Sequence, residues 1–521
     1  MNHSKNKILA IDVGTQSSRA LVFDAQGQVL AKAQVFHEPV YHSPQPGWAE
    51  QDPQLYWQAV SSACQQLWQE GAVHPEEIAA LSLTTLRASV VCLDAEGRVL
   101  RPAMVWLDQR ECTAPPKMSR LWRSAFALAG ARGLIAHLQQ QAECNWLAQH
   151  QPELWARTDK FLLLSGWLSY RLTGDFVDST GCQVGYIPFD YRKLDWAAAS
   201  DFKWQALAVR PAQLPRLVRP GVPLGALSVE AASALGLPTG LPVIAAAADK
   251  ACEVLGCGAL APDAAQLSFG TTATINTTQP RYIEVQRLLP AYPGALPAAW
   301  NTDIQIYRGF WMVSWFKREF AHREQALAAE RGVPVESLFD ELLKDVPPGS
   351  LGLTLQPYWS PGVTDPGPEA KGAIIGFGEV HTRAHLYRAI LEGLIYGLRA
   401  GREQIERKLR RPITRLVVGG GGSQSDAAMQ ITADIFNLPA ERPSIYETSA
   451  LGAAINAAVG LGWYADHAAA VVAMCRPGAV FMPRPESVRT YEALYRGVYR
   501  ELYPRLKPLY QRIRRITGYP A

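Results

Sequence analysis

Two apolar runs, residues 8–11 and 20–23, bracket a polar turn in Ile8-Leu-Ala-Ile-Asp-Val-Gly-Thr-Gln-Ser-Ser-Arg-Ala-Leu-Val-Phe-Asp24. That alternation predicts a strand, a tight turn from Asp12 to Arg19 and a returning strand. The same pattern recurs about half a chain later in Ala265-Gln-Leu-Ser-Phe-Gly-Thr-Thr-Ala-Thr-Ile-Asn276. Between the two hairpins, residues 28–36 read as a strand. Asp52 then offers a helix N-cap ahead of Pro53, and Leu55, Ala59, Val60, Ala63, Cys64 and Leu67 recur at helical spacing. Strands are predicted over 78–84, 88–93 and 99–106, with Asp94-Ala-Glu-Gly97 as a hairpin turn, and helices over most of 115–175. Residues 241–248 form a short buried strand that ends at Asp249, and 255–262, with Gly256, Gly258 and Pro262, read as a hinge. In the second half, 384–409 is the longest predicted helix, with Leu386, Ile390, Leu394, Ile395 and Leu398 along one side. Leu416-Val-Val-Gly-Gly-Gly-Gly-Ser423 reads as strand into glycine loop, 426–436 as the next helix, and 449–461 as a Gly- and Ala-rich helix suited to close packing.

A chain of 521 residues exceeds what one core organises, so two domains are expected. The net charge of +4 is too small over this length to call for nucleic acid or a membrane surface as partner. The eight Cys include no CxxC pair, which argues against a zinc site or disulfide framework and fits a reducing cytosol. The polar lead 1–7 predicts no signal peptide, and no apolar run reaches transmembrane length, so a cytoplasmic protein is expected. From Arg484 onward there are nine Arg or Lys against three Glu, beside a stripe of Tyr491, Leu494, Tyr495, Val498, Tyr499, Leu502 and Tyr503. The stripe reads as a docked amphipathic helix with a basic outer face rather than as a tail for RNA or membranes.

The hairpin turns carry the candidate chemistry. In the first, Gly14 is expected to take positive φ and admit a ligand, Thr15, Gln16, Ser17 and Ser18 supply donors for a phosphate, Arg19 a forked cation and Asp12 a hard oxygen for Mg²⁺. An ordinary polar hairpin turn is the plain alternative, and the second Gly-Thr hairpin argues against it.

Several separated motifs resemble the FGGY family of carbohydrate kinases over residues 7–480. They are Asp12-Val-Gly-Thr-Gln-Ser-Ser-Arg19, Gly47-Trp-Ala-Glu-Gln-Asp-Pro53, Val105-Trp-Leu-Asp-Gln-Arg110, Ser268-Phe-Gly-Thr-Thr272, Pro357-Tyr-Trp359, Arg388-Ala-Ile-Leu-Glu-Gly393, Gly419-Gly-Gly-Gly-Ser423 and Glu447-Thr-Ser-Ala-Leu-Gly-Ala-Ala454. The resemblance implies an α/β, two-domain actin/hexokinase-like (ribonuclease H-like) ATPase fold with an interdomain cleft. It divides the chain into a sugar-binding domain over 1–258, a nucleotide-binding domain over 259–480 and a basic helical extension over 481–521. It also implies ATP and Mg²⁺ as cofactors and a small sugar as partner, with a homodimer as a candidate assembly.

By the same resemblance Asp249 is the catalytic base, and Asp12, with Asp249, lies on the metal side. Thr15, Gln16 and Arg19 contact terminal phosphates from one domain, and Gly270, Thr271 and Thr272 from the other. Gly420, Gly421 and Gly422 approach the adenosine, with Gln424 and Ser425 nearest its base. On the sugar side Arg87 sits where glycerol kinases hold substrate hydroxyls, Trp106 stacks on the carbon skeleton, and Asp108 accepts hydroxyl hydrogen bonds. Two departures bear on substrate: Ala88 replaces the acid that follows the Arg in glycerol kinases, and Lys250 replaces the usual Gln or Asn beside the base. Lys250 therefore either meets the substrate or turns away to an acid such as Glu253. The expected reaction is phosphorylation by ATP of a hydroxyl on a ketose such as a pentulose, a polyol or a sugar acid, with glycerol a poor substrate. The rival is an actin-like ATPase or a catalytically silent nucleotide-binding protein of the same fold.

Overall fold

The computed structural model describes residues 5–286, 289–362 and 366–519; the expectations for residues 1–4 and for the last two of the C-terminal extension lie outside them. The chain forms two compact units. One comprises Met1–Gly258, Gln279–Asn301 and Glu447–Cys475, the other Ala259–Thr278, Thr302–Tyr446 and Arg476–Ala521. Each unit is therefore assembled from separated stretches of sequence.

The first unit is built on a six-stranded sheet in the order Pro223–Ala226, Pro242–Ala245, Ile78–Thr85, Lys7–Val13, Ser17–Phe23, Val29–Phe36. The middle three run parallel, and the first hairpin continues the sheet antiparallel, with Asp12 opposite Arg19. Alternation assigns the faces. Leu9, Ile11, Val22, Leu81 and Val243 share a core with Tyr56, Trp57, Val60 and Leu67 of the Pro53–Gln69 helix, which Asp52 caps through the Gln54 N–H. The opposite parity meets the Thr448–Gly460 helix, whose Gly460 lies against Ile244. A smaller four-stranded sheet, Glu50–Gln51, Ala103–Met104, Val90–Leu93 and Lys160–Leu163, carries a second core with Trp146, Phe161 and Phe189.

Several local expectations are corrected here. Ala88 is left-handed (φ 49°) and the strand starts only at Val90. The 99–106 strand shrinks to Ala103–Met104, and 115–175 contains the strand Lys160–Leu163, whose run of buried apolar residues reads equally well as helix. The strand before Asp249 stops at Ala245, and the expected hinge begins inside a helix, since Asp249–Gly256 is helical.

In the second unit, Ala264–Phe269 and Ala273–Gln279 form an antiparallel hairpin next to the parallel strands Arg415–Gly419 and Ala440–Pro443, with Pro477–Phe481 beyond. The long helix Arg383–Leu409 is crossed by the C-terminal region, where Tyr491, Tyr495, Tyr499 and Leu502 are buried. Tyr491 donates from its hydroxyl to Glu392 Oε1 (2.8 Å), and Arg388 donates to both of them (2.8 Å each). A buried ion pair that shares a phenol in this way ties the extension to the unit. Among the described residues no helix is long and apolar enough to cross a membrane.

Candidate active site

In the first unit the parallel strands bring their carboxyl ends together, where open α/β sheets place ligands. Asp12 ends one strand, Thr84 and Thr85 pair with Asp12 and Val13 on the next, and the Thr84 hydroxyl donates to the Ala247 carbonyl (2.8 Å), just ahead of Asp249. Asp249 is the first residue of its helix, where a carboxylate favours the helix dipole. Its Oδ1 accepts the Lys250 N–H (2.7 Å) and lies 3.8 Å from Arg87 Nε. Burial pushes the Asp249 carboxyl above its ordinary value, against the pull of Arg87 and Lys250. Arg87 in turn lies over the ring of Tyr292 (5.3 Å), next to the left-handed Ala88. Strain of that kind collects where a side chain has to be aimed.

The first hairpin turn is held from below. His37, which the sequence gave no reason to single out, has its ring on the Ser18 hydroxyl (2.9 Å) and the Thr15 carbonyl (3.1 Å), while its N–H donates to the Gln16 carbonyl (2.8 Å). Burial keeps its imidazole below the usual range, hence neutral at pH 7. Gly14 is not left-handed, and a Cβ there would make only ordinary contact with Ser17. Its expected positive φ is therefore absent, and the protein alone does not require glycine there. The Thr15 hydroxyl accepts from the Trp106 indole (2.9 Å), which joins one predicted phosphate residue to one predicted sugar residue; Gln16 is exposed. Arg19 lies 3.5 Å from Asp12 and 3.2 Å from Glu447, while Lys32 pairs with the other Glu447 oxygen. Glu447 was visible only as the head of a motif, with nothing in the sequence to say that it returns to the first hairpin.

Two sugar-side expectations are redirected. The Asp108 side chain is 5% exposed, and its oxygens already accept the Ala49 N–H (2.7 Å) and the Arg110 guanidinium (2.7 and 2.5 Å). Arg110 also lies over Trp48 (3.9 Å) and Trp146 (4.6 Å), so these motif residues lock two loops together. Lys250 directs its ammonium to Glu253 Oε2 (2.9 Å). Burial lowers its proton affinity, but Glu253 and Asp249 more than offset that and raise it.

In the second unit the hairpin turn Gly270–Thr272 receives the Phe310 N–H on the Gly270 carbonyl (3.0 Å), and the Thr272 hydroxyl donates to the Tyr307 carbonyl (3.2 Å). The glycine loop follows the Arg415–Gly419 strand. Gly420 is left-handed (φ 82°), and a Cβ there would come within 3.1 Å of the Phe269 backbone, whereas at Gly422 it would strike the Phe310 ring at 2.4 Å. At Gly421 a Cβ would meet nothing within 4 Å, while the Phe269 and Phe310 rings that crowd its two neighbours stack on each other. The Ser425 hydroxyl caps the Asp426–Phe436 helix and donates to Asp340 (2.5 Å), so its side chain serves the loop; Gln424 is exposed. Arg442 fixes the loop through the carbonyls of Ser423 (3.0 Å) and Gln424 (3.2 Å). Neither Asp340 nor Arg442 was marked by any sequence signal.

The residues fit a nucleotide with a hard cation. Burial pushes the Asp12 carboxyl up to about 7 despite Arg19, with Asp249, Glu447 and Glu253 adding to the rise; such a group lacks positive charge. Asp12 offers the hard oxygen that Mg²⁺ takes, an ion that keeps waters and substrate phosphates as further ligands; among the described residues no group of three or more His, Cys, Asp or Glu could hold a metal. Arg19 Nε is buried without a hydrogen-bond partner.

Compared with known proteins, residues 7–256 match the N-terminal domain of the FGGY family of carbohydrate kinases and residues 265–461 its C-terminal domain. The chain is 30% identical over 513 residues to the uncharacterized sugar kinase YgcE of Escherichia coli K12, covering 96% of this chain and 94% of that protein. It is 27% identical over 501 residues to the xylulose kinase of Lactococcus lactis, covering 95% and 96%. Among solved structures, xylulose kinase from Rhodospirillum rubrum superposes with a TM-score of 0.78 at 26% identity, covering 97% of this chain and all (100%) of that one.

Proposed function

Since the chain belongs to the FGGY family of carbohydrate kinases, we propose that Asp249 takes the proton of a small sugar's hydroxyl as that hydroxyl receives the γ-phosphate of ATP. Membership makes the chain a phosphotransferase with an alcohol group as acceptor, of the two-domain actin–hexokinase type of fold, and kinases of this family use ATP with Mg²⁺. The observation that carries the role of Asp249 is its position at the carboxyl ends of the parallel strands, with Arg87 3.8 Å from its carboxylate. Arg87 favours the ionised, proton-accepting form and has N–H donors for a substrate oxygen.

Phosphoryl transfer asks the protein for in-line positioning and for cancellation of negative charge. Asp12 and Asp249 would hold Mg²⁺, which would neutralise charge on the phosphates. Arg19, Thr15, Gln16 and the turn N–H groups would bind the terminal phosphates, as would Gly270, Thr271 and Thr272. Gly420, Gly421 and Gly422 would lie against the adenosine, with Gln424 at its base. Arg87 and Trp106 would hold the sugar, a ketose such as a pentulose or a polyol. Asp108 and Ser425 belong to the scaffold in this reading. The relatives named as xylulose kinases favour a ketose, and Ala88 disfavours glycerol.

The deciding variant is Asp249→Asn. It removes the proton acceptor while keeping shape, so kcat should fall roughly 10²–10⁴-fold with nucleotide binding retained. Near-normal turnover would show that another group takes the proton. A panel of pentuloses, hexuloses and polyols, scored for sugar-dependent ADP release, separates this reading from a bare ATPase.

A further inference from the structure

Glu253 is a buried carboxylate that the proton transfer does not use. It stands four residues after Asp249 on the same helix, one turn along on the same face. Its Oε2 lies 2.9 Å from Lys250 Nζ, with the Glu253 side chain 6% exposed and that of Lys250 23%. The other cations of this cluster are matched in the same way. Arg87 faces Asp249, Arg19 faces Asp12 and Glu447, and Lys32 pairs with Glu447. Among the described residues of the cluster, every cation has its carboxylate.

We infer that Glu253 sets the charge class of the acceptor. By holding the Lys250 ammonium it leaves no uncompensated positive charge beside Asp249, so the enzyme takes neutral ketoses and polyols and rejects sugars that carry a carboxylate. The inference rests on Asp249 marking the acceptor side. A carboxylate brought there loses its water and needs a cation in return. The nearest ammonium is already paired, and Asp249 and Glu253 repel the newcomer. A neutral hydroxyl meets no such barrier. Specificity of this kind works by penalising the wrong ligand as much as by holding the right one.

The test pairs acceptors of equal length that share their configuration at C3 and C4, xylulose with xylonate and ribulose with ribonate. It reads kcat/KM and, independently of turnover, binding by calorimetry. The wild-type enzyme should prefer the neutral member at least 100-fold. Glu253→Gln should release Lys250 and cut that ratio at least tenfold, chiefly by lowering KM for the acid, and adding Lys250→Gln should restore the discrimination. If Glu253 merely supported the helix, both members of a pair would weaken together and the ratio would stay put, which overturns the inference. Tighter wild-type binding of the acid than of the ketose also overturns it, and that measurement needs no variant to fold. Because binding is read without turnover, a failure of Asp249 as base, seen as an active Asp249→Asn, is told apart from a failure of the charge preference.

Discussion

Asp12 shows what burial costs an acid. Its pKa rises from 3.8 in the unfolded chain to about 7 in the fold, so between those values the native state binds more protons than the unfolded one. Stability therefore falls as pH climbs from about 4 through 7 and stays low above. Asp12→Asn should raise the apo melting temperature at pH 8, with a ceiling of about 4 kcal/mol from the size of the shift, and should do little at pH 4. Saturating nucleotide with Mg²⁺ should shrink the gain. A variant no more stable than wild type at pH 8 would refute the picture of a carboxylate held short of charge. The position of Asp12 was legible, because short-range sequence places it at a strand end before a polar turn. The partners of Asp108 were not legible, for the opposite reason. Its partners are Ala49, 59 residues back, and an Arg two residues on, and residue type alone does not tell a carboxylate that meets ligand from one that locks a loop. Trp106 stands between these cases. Its indole N–H donates to Thr15, so Thr15→Val should raise KM for ATP and for sugar together, severalfold each, whereas a pure phosphate contact would move the ATP term alone.

The Asp249–Gly256 and Thr448–Gly460 helices meet with almost no side chain between them. A Cβ on Gly256 would lie 2.0 Å from the Thr448 carbonyl oxygen, and one on Gly452 2.0 Å from that of Cys252. Backbone atoms cannot step aside as a flexible side chain can, so Gly452→Ala must push the helices apart. The expected cost is about 2–3 kcal/mol in denaturant unfolding, with a drop in kcat because Asp249 rides on one of the pair. Full stability with wild-type kcat would mean that the contact is not a constraint. The Thr448–Gly460 helix was predictable from its Gly and Ala content, and the long Arg383–Leu409 helix from its periodicity. Short strands were less so. Ala103–Met104 and Glu50–Gln51 exist because they pair with each other across the chain, and nothing local in two residues announces that.

A segment from late in the chain completes the first unit, a contact that no continuous stretch of sequence announces. Glu447–Cys475 supplies the carboxylate for Arg19 and Lys32 and the helix that covers Asp249–Gly256, yet it arrives after most of the second unit has been made. An eight-residue helix does not hold itself together in water, and Ala251, Cys252 and Leu255 are buried only while something lies over them. A chain that stops at Tyr446 should therefore expose the amides of 249–256 to rapid hydrogen exchange, while the Pro53–Gln69 helix, packed on the other face of the sheet, keeps part of its protection. Co-expressing residues 447–521 as a separate chain should bring back both the protection of 249–256 and sugar-dependent ADP release. If 249–256 stays protected in the shortened chain, the helix that carries Asp249 does not depend on the returning segment, and the first unit folds from its N-terminal residues alone.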